Sequence, residues 1–159
     1  VLFCCEHTLS AMGPALARAQ SQTELTVKAA AYRVPTLAVD GMDVEACRAA
    51  AQHGAEQVRR TGGPFFLEFR TYRFRAHSMF DPELYRDKTE VDRWRERDPI
   101  STFTDRCLHD GRLTAADVHD IEQAADAEIA AAVAFAEAGT WEATEDLERD
   151  VLTPGPGAR

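Results

Sequence analysis

No apolar stretch in this chain approaches the ~20 residues that a membrane-spanning helix needs; runs such as Val1–Cys5 are far shorter. No C-x-x-C spacing occurs either. Cys4 and Cys5 are adjacent, while Cys47 and Cys107 stand alone, which excludes the usual zinc and thioredoxin-like frameworks. That pattern predicts reduced, mostly buried thiols in a cytosolic protein. Positive charge is scarce: 18 Lys and Arg stand against 27 Asp and Glu, a formal net charge of -9. A nucleic-acid footprint needs a basic surface, so nucleic acid is excluded as a partner; a local anion pocket built from a few arginines is not. Neither a signal peptide nor an internal repeat is visible. The expectation is a cytoplasmic protein with no membrane partner.

What is present suits an ordinary globular domain: 159 residues, 45% apolar and 28% charged, enough for one core. The first residue is Val1, inside an apolar run, and a domain rarely begins in mid-strand; the expectation is a fragment, or a gene product missing its upstream half. Val1–Cys5 reads as a strand buried on both faces of a parallel sheet. Residues 26–32 suggest a short helix ended by Pro35. Thr36–Val39 is a second strand. Asp43 then caps a helix whose apolar positions Val44, Cys47, Ala51, Ala55 and Val58 recur at helical spacing, with Gly62-Gly63 as its stop. Phe65–Phe69 is a third strand. Strand, helix, strand, helix, strand implies an α/β fold with a parallel sheet flanked by helices.

Beyond Phe69 the pattern breaks. Residues 70–87 are rich in Arg, His and aromatics without periodicity, and read as a long loop leaving the carboxyl end of a strand, where ligands of open α/β sheets bind. Helical patterns resume at 90–97, after Pro99, and after Thr114, which forms a capping-box pattern with Asp117. The last helix carries a stripe of Val118, Ile121, Ala125, Ile129, Ala132 and Ala136.

The loop holds the densest chemistry. Arg73, Arg75 and Arg86 are suited to fixing an anion bidentately, and His77 among them suits acid, base or hydrogen-bond work near neutral pH. The alternative is a solvated basic loop with one surface histidine. His7, directly after the first strand, stands at the ligand-binding edge of the sheet, and a hydrogen-bonded loop residue is its bland counterpart. Glu6 and His7 lack a third partner for a metal. His53, His109 and His119 read as surface residues.

The segment Tyr72-Arg73-Phe74-Arg75-Ala76-His77-Ser78-Met79-x-Asp81-Pro82, followed by Tyr85-Arg86, resembles the active-site loop of alpha subunits of thiamine-diphosphate-dependent 2-oxo-acid dehydrogenases. The opening Val1–Gly13, the block Val39-Asp40-Gly41-Met42-Asp43-Val44 and the block Glu90-Val91-x-x-Trp94 with Asp98-Pro99-Ile100 fit the same family in the same order. The resemblance implies the thiamine-diphosphate-binding fold in part, with a C-terminal helical segment. Residues 1–86 would belong to the cofactor-binding α/β domain, with the active-site loop at 70–87, a helical extension at 87–139 and a tail at 140–159. It implies His77, Arg73, Tyr85 and Arg86 as catalytic residues and His77, Ser78, Thr8 and Ser10 as cofactor contacts. Thiamine diphosphate and magnesium are the implied cofactors. The implied partners are a beta subunit in an alpha2-beta2 heterotetramer, a lipoyl-bearing acyltransferase component and a 2-oxo acid.

Two departures stand out. The family's Gly-Asp-Gly motif, which carries a magnesium ligand, has no counterpart in the chain. The family's Asn and Tyr magnesium positions hold Thr8 and Ser10, which offer a neutral hydroxyl and a carbonyl, a weaker oxygen set. Ala11-Met12-Gly13 with Ala15-Leu16-Ala17-Arg18 is similar to bacterial pyruvate-type subunits, so the implied reaction is oxidative decarboxylation of pyruvate in a bacterial cytoplasm. Branched-chain and acetoin dehydrogenase subunits, and an inactive subunit that serves only assembly, are the alternatives.

Overall fold

The computed structural model describes residues 1–8, 15–147, 149 and 151. Two compact units divide at Arg112 and Leu113. The first contains three strands, β1 (Leu2–His7), β2 (Thr36–Asp40) and β3 (Phe65–Arg70), all parallel in the order β1-β3-β2. It also contains helices α1 (Leu16–Ala19), α2 (Leu25–Ala30), α3 (Val44–Thr61), α4 (Lys88–Arg95) and α5 (Pro99–His109). The second unit contains α6 (Ala115–Glu137) and a 3-10 turn over Thr144–Asp146.

The signals read from the sequence place α3 correctly at both ends. The Asp43 side chain accepts from the N–H groups of Glu45 and Ala46, and Gly62 closes the helix at φ 69, a left-handed turn in which a side chain is strained. One face of α3 lies on the sheet. Ala50, Phe65 and Leu67 form the buried core there, with Leu2, Val39, Ala51, Val58 and Phe69 packed around it. Burial of Phe65 and Leu67 contributes about 1.5–3 kcal/mol each. Gly54 permits this approach, since a Cβ on it would stand 2.9 Å from Leu2 Cδ1 and 3.3 Å from both Leu67 and Phe65.

Among the described residues, β3 is the one strand with buried side chains. β1, expected to be covered on both faces, has no buried side chain. The reason is its position: among the described residues it pairs on one side only, with β3. The thiols follow the same geometry. Cys107 is buried, Cys5 and Cys47 are partly covered and Cys4 is exposed, so the expectation of mostly buried cysteines is corrected.

On the second face of the sheet, Phe3, Cys5 and Phe66 line an apolar cleft of about 450 Å³ with Leu25, Tyr32 and Val34. α4 and α5 start at Asp87 and Asp98, whose carboxylates accept from the N–H groups of their first turns. In the second unit, Thr114 and Asp117 complete the expected capping box. The stripe on α6 buries nothing: Ile121 is 57% and Ile129 65% exposed. No helix among the described residues is long and apolar enough to cross a membrane.

Candidate active site

The carboxyl ends of the three strands meet in one row, with His7 and Asp40 both in register with Arg70. Beneath that row lies Glu68, 1% exposed on the central strand. A buried carboxylate must be paired, and Glu68 is paired twice. Its Oε1 lies 2.7 Å from His7 Nδ1 and 3.3 Å from Arg70 Nε. Because a carboxylate facing an arginine only accepts, His7 carries its proton on Nδ1. Its Nε2 is buried and has no hydrogen-bond partner among the described residues. Arg70 also gives Nη2 to Glu24 at 2.9 Å. The hydrogen bond to Glu68 and its charge hold the Arg70 guanidinium above its ordinary value, with Glu24 adding to the effect. The Cys5 thiol, register partner of Glu68, is raised by burial first and then by the Glu68 and Glu6 charges.

Two ties bring the neighbouring chain segments to this edge. Thr71 N–H donates to the His7 carbonyl at 2.9 Å, and Gly41 N–H donates to the Arg70 carbonyl at 2.8 Å. Gly41 has to be glycine for the second, because a Cβ there would lie 2.3 Å from Thr71 Cγ2.

The loop then leaves β3 and folds on itself. Tyr72 stacks on Trp94 of α4 with ring centroids 5.1 Å apart and planes 7° apart. Arg86 lies over the Tyr72 ring, its guanidinium carbon 5.6 Å from the ring centroid. Its side chain is only 8% exposed. It donates to the carbonyls of Arg73 at 2.5 Å and Phe74 at 3.0 Å, and it pairs with Glu83. Glu83 itself adopts φ 54, a left-handed conformation uncommon for a side chain of its kind. The guanidinium of Arg86 thus faces inward and binds the two legs of the loop.

Asp81 is the second organiser. It accepts from Glu83 N–H at 2.9 Å, from His77 N–H at 3.1 Å and from Tyr85 O–H at 2.9 Å. The Glu83 N–H, with lesser help from those other donors, holds the Asp81 carboxyl below the usual carboxylate range. The Tyr85 phenol moves the other way, raised by its bond to Asp81.

His77 is exposed, and Arg73 Nη1 stands 3.3 Å from its Nδ1. Arginine can only donate, so Nδ1 accepts and the ring presents an Nε2–H. His77 and Arg73 are therefore brought together with two donors facing outward. Arg75 and Ser78 are also exposed. Thr8 follows β1 directly and is half-buried. Ser10 lies outside the described residues. Among those described, no three His, Cys, Asp or Glu side chains gather to hold a metal. His53, His109 and His119 are exposed, as expected.

Sequence reasoning missed Glu68 and Asp81 as organisers. A signal for the first was visible: a lone acidic residue within the apolar run Phe65–Phe69 needs a partner if that run is a central strand.

The family model described as "Dehydrogenase E1 component" matches residues 1–144. Pyruvate dehydrogenase E1 component subunit alpha of Rhizobium meliloti (strain 1021) is 37% identical over 153 residues, covering 96% of this chain and 44% of that protein. The protein of the same name from Rickettsia felis is 36% identical over 137 residues, covering 86% of this chain and 42% of the relative. The chloroplastic alpha-3 subunit of Arabidopsis thaliana is 34% identical over 157 residues, covering 99% of this chain and 37% of the relative. The chain thus spans less than half the length of these relatives. With the loop at the end of β3 and the match over nearly all its residues, the chain belongs to the dehydrogenase E1 component family.

Proposed function

We propose that the chain supplies the sheet edge and active-site loop of an alpha subunit of a thiamine-diphosphate-dependent 2-oxo-acid dehydrogenase that acts on pyruvate in a bacterial cytoplasm. The observation that carries this reading is the His77–Arg73 pair, at 3.3 Å, on the loop that leaves the carboxyl end of β3. The Arg73 guanidinium and the His77 Nε2–H are exposed donors, a set that fits an oxyanion such as a diphosphate. When bound, thiamine diphosphate supplies the electron sink for decarboxylation. The protein's part is to bind, orient and stabilise charge. Arg73 and His77 would hold the anionic groups, while Tyr85 and Arg86 keep the loop in shape through Asp81 and the Arg73 and Phe74 carbonyls. Ser78, exposed next to His77, would add a hydroxyl contact.

The magnesium positions are a different matter. Thr8 and Ser10 offer neutral oxygens only, and no acidic cluster among the described residues completes a site. These residues do not make a magnesium site by themselves, so no step is assigned to the metal. Further ligands would come from a segment that these relatives have beyond the matched region. The proposed partners are a beta subunit, in an alpha2-beta2 assembly, and a lipoyl-bearing acyltransferase component that receives the acyl group.

The test is reconstitution with a beta subunit and an upstream alpha segment, then assay of pyruvate, branched-chain 2-oxo acids and acetoin with an artificial electron acceptor. Pyruvate turnover that depends on thiamine diphosphate supports the reading. Preference for another substrate reassigns the subtype, and cofactor binding without any turnover favours an inactive assembly subunit. The 159-residue chain alone should show no turnover.

A further inference from the structure

β1 ends in the row of His7, Arg70 and Asp40 at the carboxyl edge of the sheet, and burial holds it only in part, through Leu2 packed on the core at its other end. None of its side chains is buried, whereas β3 beside it carries Phe65, Leu67 and Glu68 in the interior. The last residue of β1 is nevertheless fastened twice to β3. Its carbonyl accepts from Thr71 N–H at 2.9 Å. Its Nδ1 gives to Glu68 Oε1 at 2.7 Å, across 61 residues of sequence. Packing alone does not account for these two residue types. A leucine would fill the position of Glu68 on a central strand without requiring partners. The His7 ring leaves a buried Nε2 without a hydrogen bond among the described residues, so its Nδ1 bond is what the imidazole contributes.

We propose that the His7–Glu68 pair is a clasp that fixes where the chain leaves β1, and that His7 is thereby a positioning residue for the anionic tail of the cofactor. This deepens the alpha-subunit reading and rests on it. Strand ends fray unless something beyond the ladder holds them. Here a charge-assisted bond sits at the last register pair, in the row shared by His7, Arg70 and Asp40. Thr8 follows at once, so the clasp fixes the point from which Thr8 leaves the strand. Arg70 belongs to the same unit: its Nε on Glu68, at 3.3 Å, balances the carboxylate that anchors the histidine. The role uses a single donor at the Nδ1 position. An asparagine amide places a donor at nearly the same distance along the side chain, and alanine or leucine places none.

The experiment compares wild type, His7→Asn, His7→Ala and His7→Leu in the chain assembled with a pyruvate dehydrogenase beta subunit and upstream alpha segment. Two quantities are read: hydrogen exchange at the Thr71 amide, and affinity for thiamine diphosphate by calorimetric titration. In His7→Ala, Thr71 exchange should rise and cofactor affinity should fall, each by about tenfold or more, the usual scale for a group that orients a binding residue. Amides of α3 should stay protected. His7→Leu, which keeps bulk without a donor, should match His7→Ala, and His7→Asn should restore both readouts. A purely space-filling role predicts the reverse order, with leucine rescuing and asparagine not. Unchanged affinity in His7→Ala overturns the positioning role alone. Absence of cofactor binding by the wild-type assembly overturns the alpha-subunit reading and this role with it.

Discussion

Arg86 reaches back twelve residues to the carbonyl of Phe74, 3.0 Å from its Nη2, and to the carbonyl of Arg73 beside it. A single buried guanidinium therefore closes the base of the loop that carries His77. Replacing it removes several charged hydrogen bonds at once, each contributing about 1.5–3 kcal/mol. Arg86→Ala should open the loop between residues 74 and 84 to limited proteolysis while the far-UV spectrum is retained. Arg86→Lys should rescue little, because a point donor cannot span two carbonyls and Glu83 together.

Asp81 and Tyr85 predict a pH range for loop order. The Asp81 carboxyl is lowered in the folded loop, chiefly by Glu83 N–H. Its contribution is therefore complete above the ordinary carboxylate value of about 4 and is lost as pH falls through the lowered one. The Tyr85 phenol is raised, chiefly by its bond to Asp81. Its contribution is complete below about pH 10 and is lost as pH rises through the raised value. Protection of the His77 amide, its hydrogen exchange taken relative to the intrinsic rate at each pH, should be greatest on the plateau between those limits. In Asp81→Asn, Tyr85 should ionise at lower pH in an ultraviolet titration.

Gly41 is a steric contact point between the β2 exit and the β3 exit. Gly41→Ala would set a methyl 2.3 Å from Thr71 Cγ2 and 2.9 Å from the Arg70 carbonyl. Overpacking of this kind costs about 1–3 kcal/mol. Urea denaturation should show that loss, and adding Thr71→Ser should return part of it by removing Cγ2. Full recovery would mean the Arg70 carbonyl moves freely, contrary to its bond with Gly41 N–H.

His77→Gln in the reconstituted enzyme should lower kcat by about a hundredfold or more, the scale of a lost acid–base or donor group. Arg73→Ala should weaken cofactor binding and, through Nδ1, allow the His77 ring to turn. An unchanged kcat in His77→Gln would remove His77 from the reaction.

Much of the fold was legible because its signals are local. Asp43 and Gly62 mark the ends of α3, Asp98-Pro99 opens α5, and Thr114 with Asp117 caps α6. The candidate loop was legible as a break in periodicity after Phe69. What was not legible depends on register. His7 and Glu68 meet only because β1 pairs with β3 rather than with β2, and spacing along the chain does not contain that order. The exposure of β1 follows from the same cause. Within the loop, composition suggested arginines for a ligand, but it could not tell that Arg86 turns inward to its own backbone while Arg73 faces out.

The strand order β1-β3-β2 also sets a timetable. Leu2 pairs with Phe65, so the first strand leaves the ribosome well before the segment that must receive it. At roughly 5–20 residues per second that delay is several seconds. Throughout it Leu2, Phe3 and the two adjacent cysteines wait for the strand that pairs with them, while β2 and α3 are completed. On the nascent chain, pairing of β1 with β3 should therefore follow formation of α3.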